Sequence, residues 1–434
     1  MNAPLKIGIA GLGTVGTSVF ELLEENAALL AARLERPVTV TAVSARSKKD
    51  RGLNLEHVKW HDDPVALADD PGVDVVVELM GGAQGAAFDL IKRALENGKP
   101  VVTANKALLA ARGGEIFQLL KSGKSTLSYE AAVAGGIPAI KTLREGLAAN
   151  RINAVYGILN GTCNFILSQM RSTGGKFEDV LKEAQDKGYA EADPSFDIDG
   201  IDAAHKLSIL SGLAFGCVPD PAAVRTRGIR DITAEDIAFA DELGYRIKLL
   251  GIARVTPGGI EQSVAPCLVP TAIPMAHIDG AENAVCIDGG HAGKILITGA
   301  GAGGDATASA VVADIADIAR GCAGLPFLGV TAPAKMQAAD TNARIGSYFI
   351  RLTVLDKPGV IADVSAILRD CGVSMESILQ RGRAPGHPVP VILTSHETVE
   401  GDMLEAVKKI GGLETSVAPP HLMRIETFEN EAQQ

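Results

Sequence analysis

Residues 5 to 10 (LKIGIA) read as a short buried strand. Gly11-Leu12-Gly13-Thr14-Val15-Gly16 follows at once, ahead of an amphipathic helix reaching about Arg33. The first glycine permits a tight turn, and the second lets a pyrophosphate approach the backbone. The third lets helix and strand pack closely. The helix start at Thr14 and Val15 then offers open N–H groups to the anion. A glycine-rich turn without a ligand is the plainer alternative, but the full strand–turn–helix setting favours a dinucleotide site. Further strands at 38–44, 73–79 and 101–103, with helices at about 83–97 and 107–121, continue the alternation. Apolar strands alternating with helices predict an α/β fold: a Rossmann-type, doubly wound parallel sheet covered on both faces, ending near residue 150.

The second strand ends at Ser44 and continues Ala45-Arg46-Ser47-Lys48-Lys49, with no carboxylate before Asp50. A site for NAD places Asp or Glu there to bind the ribose 2′-hydroxyl. Arg46, with Lys48 nearby, instead suits a 2′-phosphate. A solvated basic loop is the competing reading. The expectation is NADP, with NAD left open. Thr103 and Lys106 close the fourth strand, at the end of a doubly wound sheet where ligands sit.

The net charge is −11 and no basic stripe appears, which argues against a nucleic-acid partner. No apolar run reaches the ~18 residues that span a membrane, and the N-terminus shows no cleavable signal. Six cysteines are scattered without a CxxC pair, so zinc and disulfide frameworks are not expected and a reducing cytoplasm is. Gly counts 48 of 434 residues, about 11% against a usual ~7%, and aromatics are 4%; both suit close-packed α/β layers.

At roughly 150 residues per domain, the length suggests about three domains. After residue 150 come helices at about 163–172, 177–187 and 200–215. Strand-like segments follow near 247–255, 261–268, 284–288 and 293–298, separated by Gly and Pro turns that predict antiparallel pairing. This α+β unit is expected to span 151–304 and to hold the substrate and dimer contacts. The Gly-rich stretch 299–304, with Gly303 on the cofactor side, leads into a helix at about 305–330 expected to pack back on the first domain. Residues 331–345 read as a linker. A βαββα unit with a possible last strand fills 346–434, and its end, from Glu429, is expected to fray.

The densest polar patch runs from Gly188 through Glu191, Asp193, Asp197, Asp199, Asp202 and Lys206. Asp202 and Lys206 are spaced i, i+4 and share a helix face. A surface ion pair is the bland reading. Against it, the helix around them is apolar, and a lysine beside carboxylates in such a setting suits proton transfer. Ser195, Asp197, Asp199 and Gly200 imitate the start of an EF-hand, but its twelfth position is Lys206 rather than Glu, so calcium is rejected. Cys163 could be a nucleophile at a helix start, although a cysteine is more often a small buried apolar residue. His205 is read as structural, facing another side of the helix from Lys206.

Taken together, GLGTVG at 11–16, TANK at 103–106, YEAAVAGGIP at 129–138, NGTCNFI at 160–166 and GYAEADPSFDIDGIDAAHK at 188–206 resemble the homoserine dehydrogenase family over residues 5–345. LDKPGVIADVSAIL at 355–368 resembles an ACT domain, an amino-acid-sensing module. The resemblance implies interconversion of L-homoserine and L-aspartate 4-semialdehyde with NAD(P), on the route to threonine and methionine. It implies Lys206 as acid/base, Asp202 positioning it or the hydroxyl, and Lys106 between nicotinamide and substrate. Glu191, with Asp197, would bind the substrate. Glu130, Val133, Gly135 and Ile137 match positions that hold a monovalent cation such as Na+, mostly by carbonyl oxygens. A homodimer or homotetramer is implied as well.

Two other functions compete: an acylating semialdehyde dehydrogenase using Cys163, and a non-catalytic redox and amino-acid sensor. In the C-terminal unit, Asp356-Lys357-Pro358-Gly359 leads into a helix at Val360 and Ile361. Pro358 fixes the turn, and Gly359 leaves N–H groups open for a ligand carboxylate. A plain turn in an oligomerisation domain is the alternative, at about even weight. Pathway logic favours L-threonine as the effector there, with removal of 346–434 leaving an active, insensitive enzyme if the core is stable alone.

Overall fold

The computed structural model describes residues 2–121, 125–322, 335, 337–381 and 384–428. A parallel sheet forms from β1 (Leu5–Ala10), β2 (Val38–Ser44), β3 (Lys59–His61), β4 (Val75–Glu78), β5 (Val101–Thr103) and β6 (Leu127–Ser128). Its order is β3-β2-β1-β4-β5-β6, the doubly wound arrangement, with the strand order reversing between β1 and β4, which run parallel. The α/β class read from the sequence holds. β3 and β6 were not expected, because three and two residues carry no period. The expected helix to Arg33 is two helices, Thr14–Glu25 and Ala27–Leu34, broken where Asn26 leaves helical geometry.

The helix Gly304–Arg320 returns to this domain. Ala308, Val311 and Ile315 pack with Val19, Phe20 and Leu23 in one buried cluster. At roughly 25 cal/mol per Å² of apolar surface removed from water, such a contact is a main source of the domain's stability. The helix stops at Arg320, where Gly321 takes a left-handed φ of 72°. The rest of its expected span, from 323, lies outside the described residues, as do 331–334 and 336 of the expected linker and the end from Glu429.

The second sheet begins with β7 (Ala154–Ile158), β8 (Arg225–Thr226), β9 (Tyr245–Thr256), β10 (Gly259–Pro270), β11 (Glu282–Asp288) and β12 (Lys294–Ala300). The order β12-β11-β7-β9-β10 is antiparallel throughout, as the turns predicted. The central strand β7 was not foreseen. All five of its residues are buried, so it shows no alternation.

β13 (Ile345–Leu355), β14 (Met375–Gln380), β15 (Pro388–Ser395), β16 (Thr398–Val399) and β17 (His421–Ile425), with helices Val360–Asp370 and Glu400–Gly411, make the C-terminal unit. Its sheet is continuous with the preceding one. β17 pairs antiparallel with β13 and parallel with β10, through Cys267 with Arg424 and Leu268 with Ile425. Buried ions cross this seam. Arg254 Nε donates to Glu261 at 2.7 Å and its Nη1 to Glu426 at 3.2 Å. Arg424 donates to Glu261 at 2.8 Å and to Glu400 at 2.6 Å. Arg351 donates to Asp236 at 2.6 Å. Burial would raise the pKa of Asp236, but His421 and Arg351 hold it below the usual carboxylate range. A free-standing regulatory unit, removable without consequence, does not fit this seam.

Candidate active site

At the end of β1 the three glycines meet different neighbours. A Cβ on Gly11, at φ 102°, would lie 2.6 Å from the Leu79 carbonyl oxygen, and one on Gly16 would lie 1.9 Å from that of Gly11. Around Gly13 there is open space. Gly11 and Gly16 therefore close the turn, while Gly13 and Thr14 are exposed and Val15 half-buried at the helix start. A cleft of about 500 Å³ opens there, with Gly13, Ser44, Arg46 and Arg51 in its lining. Lys48 is outside that lining: its ammonium is 3.6 Å from Asp62 and 5.5 Å over the Trp60 ring. Arg51 was not singled out from sequence. It is fixed by donation to the carbonyls of Leu12 at 2.7 Å and Lys49 at 2.8 Å, a position no local pattern reveals.

The far wall of the cleft is Leu79 to Gly81, held by a fully buried carboxylate. Glu78 accepts from Met80 N at 2.8 Å and from the Thr103 hydroxyl at 2.7 Å, and burial raises its pKa. The Thr103 hydroxyl therefore points into the sheet rather than into the cleft. Gly303, at φ 115°, starts the returning helix with open space where a side chain would be.

The chemistry-bearing side chains converge where the two sheets meet. Helix Ile201–Phe215 is buried along most of its length, and Gly200 enters it at φ 82°. Lys206 Nζ donates to Asp202 Oδ2 at 2.8 Å and to the Leu159 carbonyl at 2.7 Å. Lys106, first residue of the helix after β5, brings its ammonium 2.5 Å from Asp202 Oδ1. Burial alone would raise the pKa of Asp202, yet the two ammonium groups hold it well below the usual range. An ionised carboxylate with one cation on each oxygen is the result.

Asn160 completes the cluster and was not assigned a role from sequence. Its Oδ1 caps helix Gly161–Thr173 by accepting from Cys163 N at 2.8 Å. Its Nδ2 donates to Asp197 at 2.7 Å and to Asp202 at 2.9 Å. A capping Asn is legible before an apolar helix; its two carboxylate partners, 37 and 42 residues away, are not. Burial raises the pKa of Asp197, against the Asn160 bond. Glu191 is exposed on the loop beside it, its carbonyl accepting from Gln185 at 3.0 Å.

The nucleophile alternative fails, and the reading of His205 needs correction. Cys163 is fully buried and its thiol contacts the Asp197 carbonyl at 3.2 Å. Burial and the surrounding carboxylates push its pKa well above the usual value, so it is no thiolate nucleophile. His205 does not face away from the site. Its ring meets Phe196 edge-on at 5.5 Å, and Lys106 Nζ lies 5.9 Å over that same Phe196 ring.

Near the returning helix, Ala134 and Gly135 take successive left-handed conformations, φ 57° and 55°. They turn the loop that contains Val133 and Ile137. Glu130 lies at its start: its carboxylate accepts from Ile140 N and Lys141 N, and its own N–H donates to Asp314 at 2.9 Å. Burial, then the nearby Asp314, push the Glu130 carboxyl up to about 7, and burial lifts Asp314 to about 6. Among the described residues no group of three or more His, Cys, Asp or Glu could hold a metal, so a cation here would depend on backbone carbonyls. In the C-terminal unit, Asp356 accepts from Ala384 N at 2.8 Å. Gly359, at φ 97°, has open space around it, Val360 is buried and Ile361 half-buried.

A glycine-loop cleft in a doubly wound sheet, with a lysine–carboxylate cluster built from the helix after β5 and the helix Ile201–Phe215, suits a nicotinamide-dependent oxidoreductase. The comparisons say which one. Residues 11–130 match the model for the homoserine dehydrogenase NAD-binding domain, 138–316 that for homoserine dehydrogenase, and 348–412 that for the ACT domain. The Pseudomonas aeruginosa homoserine dehydrogenase is 45% identical over 434 residues, covering 98% of this chain and 99% of the relative. The crystal structure of a homoserine dehydrogenase from Thiobacillus denitrificans is 44% identical and superposes with a TM-score of 0.92, covering 98% and 99%. A hyperthermophilic archaeal homoserine dehydrogenase in complex with NADPH is 28% identical, TM-score 0.61, covering 72% and 97%. The chain belongs to the homoserine dehydrogenase family. It is an oxidoreductase acting on CH–OH, interconverting L-homoserine and L-aspartate 4-semialdehyde, with an ACT domain consistent with regulated amino-acid biosynthesis.

Proposed function

We propose that Lys206 is the general acid/base of this reaction, and the observation that carries the reading is its 2.8 Å bond to an Asp202 already held by Lys106. The nicotinamide supplies or accepts the hydride. As hydride reaches the aldehyde carbon, the carbonyl oxygen gains negative charge and takes a proton from Lys206 Nζ; in the other direction Lys206 removes the hydroxyl proton. Asp202 aims that ammonium, and the Leu159 carbonyl fixes its second direction. Lys106 borders both nicotinamide and substrate, and Glu191 with Asp197 receives the substrate ammonium. Single-turnover reduction of NADP+ by L-homoserine in Lys206→Ala tests this: loss of the hydride step with retained cofactor binding is expected.

Arg46 in the cleft lining and the absence of a carboxylate at the end of β2 support NADP over NAD. The glycine loop (Gly11, Gly13, Thr14, Val15, Gly16) and Gly303 frame the pyrophosphate. The carbonyls of Val133, Gly135 and Ile137, with Glu130, are the place for a monovalent cation such as Na+, which would offset the carboxyls of Glu130 and Asp314. Ala139 N competes for one lone pair there, donating to Ile137 O at 2.7 Å. The ACT unit at 346–434 is read as the sensor, with L-threonine as its effector at Asp356 to Ile361. Residues 1–150 and the returning helix form the cofactor domain and 151–304 the substrate and dimerisation domain of a homodimer or homotetramer. A cytoplasmic setting suits six free cysteines.

A further inference from the structure

The strand β7 ends at Ile158, and the next two residues carry contacts that hold the catalytic cluster. The Leu159 carbonyl accepts from Lys206 Nζ, and Asn160, only 5% exposed, faces the two aspartates. A backbone N–H can only donate, so the 2.8 Å bond from Cys163 N fixes Oδ1 of Asn160 as its acceptor. That turns Nδ2 toward Asp197 Oδ1 at 2.7 Å and Asp202 Oδ2 at 2.9 Å. The amide nitrogen has two N–H groups, and each engages a different carboxylate.

The carboxylates differ in what else holds them. The charges facing Asp197 are Asp202 and Lys206, from the helix Ile201–Phe215, and Lys106, from the helix after β5. Asp199, two residues on, is taken up by Arg230. Both ammonium groups lie on Asp202. Asp197 takes its short bond from Asn160, with the Thr162 hydroxyl 3.4 Å from its other oxygen. That second oxygen keeps acceptor capacity.

We propose that Asn160 is a positioning residue of the reaction, holding Asp197 and Asp202 in fixed relation so that one carboxylate is presented to the substrate and the other aims Lys206. The proposal rests on reading Lys206 as the acid/base and Asp197 as a substrate contact, and Asn160 acts through those two groups. Without the amide, Asp197 loses its short bond and turns, which raises KM. Asp202 loses a fixed direction and Lys206 its aim, which lowers kcat.

Steady-state reduction of L-aspartate 4-semialdehyde by NADPH, followed over a range of pH, tests this. Two substitutions keep the helix cap and change the donors. Asn160→Ser leaves an oxygen to accept from Cys163 N but removes the amide. It should lower kcat/KM roughly 10- to 100-fold, the worth of a hydrogen bond to a charged group, with the loss shared between kcat and KM. Asn160→Asp keeps both shape and cap but sets a third carboxylate against the other two, and only a proton restores a donor there. Its kcat/KM relative to wild type should therefore rise at least about tenfold as pH falls from about 8.5 to about 6. Gly174→Ala, at the far end of the same helix where φ is 68°, weakens that helix without touching the cluster. It should leave kcat, KM and the pH profile as in wild type.

A relative kcat/KM for Asn160→Asp that ignores pH, or wild-type constants in Asn160→Ser, overturns the proposal. So does a loss in Gly174→Ala that matches Asn160→Ser, because the effect would then be one of helix stability. Lys206→Ala separates this role from the reading beneath it. Normal turnover there sinks the acid/base assignment and the proposal with it. An inactive Lys206→Ala beside unaffected Asn160 variants leaves the relay standing and removes Asn160 from it.

Discussion

Lys206 and Asp202 stand one helical turn apart on one buried helix face, ammonium to carboxylate at 2.8 Å. Lys206→Ala is expected to lower kcat by ~10²–10⁴. NADP+ binding, followed by fluorescence titration, should be unchanged. Normal turnover would hand the proton to Lys106. Asp202→Asn should cut kcat and also the melting temperature, because it leaves two ammonium groups without their counter-charge, a loss of about 3–5 kcal/mol for a buried pair.

Cys163→Ser should keep substantial activity, since the thiol is sealed from the cleft and held protonated. A folded, inactive Cys163→Ser protein that accumulates a thioester in its wild-type form would restore the nucleophile.

Arg46→Ala is expected to raise the Kd for NADP+ by roughly 10- to 100-fold, the cost of a charge-assisted bond, and to leave NAD+ almost unaffected. Parallel titrations with the two dinucleotides decide it: equal weakening would show that Arg46 does not meet the 2′-phosphate.

Glu130 gives a pH signature. Its carboxyl lies near 4.5 in the unfolded chain and is pushed up to about 7 in the fold, by burial first and then by Asp314. The folded state therefore binds the proton more tightly. Its contribution is fully present below about pH 4.5 and is lost as pH rises towards 7. Glu130→Gln should flatten the fall in melting temperature across that window. Na+ should stabilise the wild type more at pH 8 than at pH 5, where the carboxyl is protonated and no longer attracts a cation by its charge. Identical sodium effects at both pH values would remove Glu130 from the cation site.

Removing residues 346–434 strips Arg351, His421, Arg424 and Glu426 from the buried seam and uncovers the β10 edge. The shortened chain is expected to melt well below full length or to aggregate. A soluble truncation with unchanged melting temperature would show that the seam carries little stability.

The cofactor loop and the pairing of Asp202 with Lys206 were legible because both are local patterns: glycines at fixed offsets between a strand and a helix, and an i, i+4 pair on an apolar helix. The place of Lys106 at the carboxyl edge of the sheet was legible from its position after β5, but its contact with Asp202 joins positions nearly a hundred residues apart. Asn160, Arg51 and Glu78 stayed hidden for the same reason. Each acts through partners brought near only by the tertiary fold. β7 escaped because a strand buried on both faces does not alternate. The shared sheet escaped because β17 looks like the last strand of a small separate unit, and nothing in its five residues says that β10 is its second neighbour.

The chain leaves the cofactor domain for the substrate domain after Glu130 and comes back at Gly303. These two crossings lie side by side: Gly136 N donates to the Ala300 carbonyl at 3.0 Å, and a Cβ on Gly135 would lie 2.6 Å from the carbonyl carbon of Gly301. Bare backbone meets bare backbone there, with no side chain wedged between. The two halves are thus joined by this double crossing as well as by the core they share, in which Ile116 and Leu127 pack in one cluster with Leu207 and Leu210. A larger residue at Gly135 would run into the Gly301 backbone, and one at Gly301 into the Asn283 side chain, so either would wedge the two crossings apart.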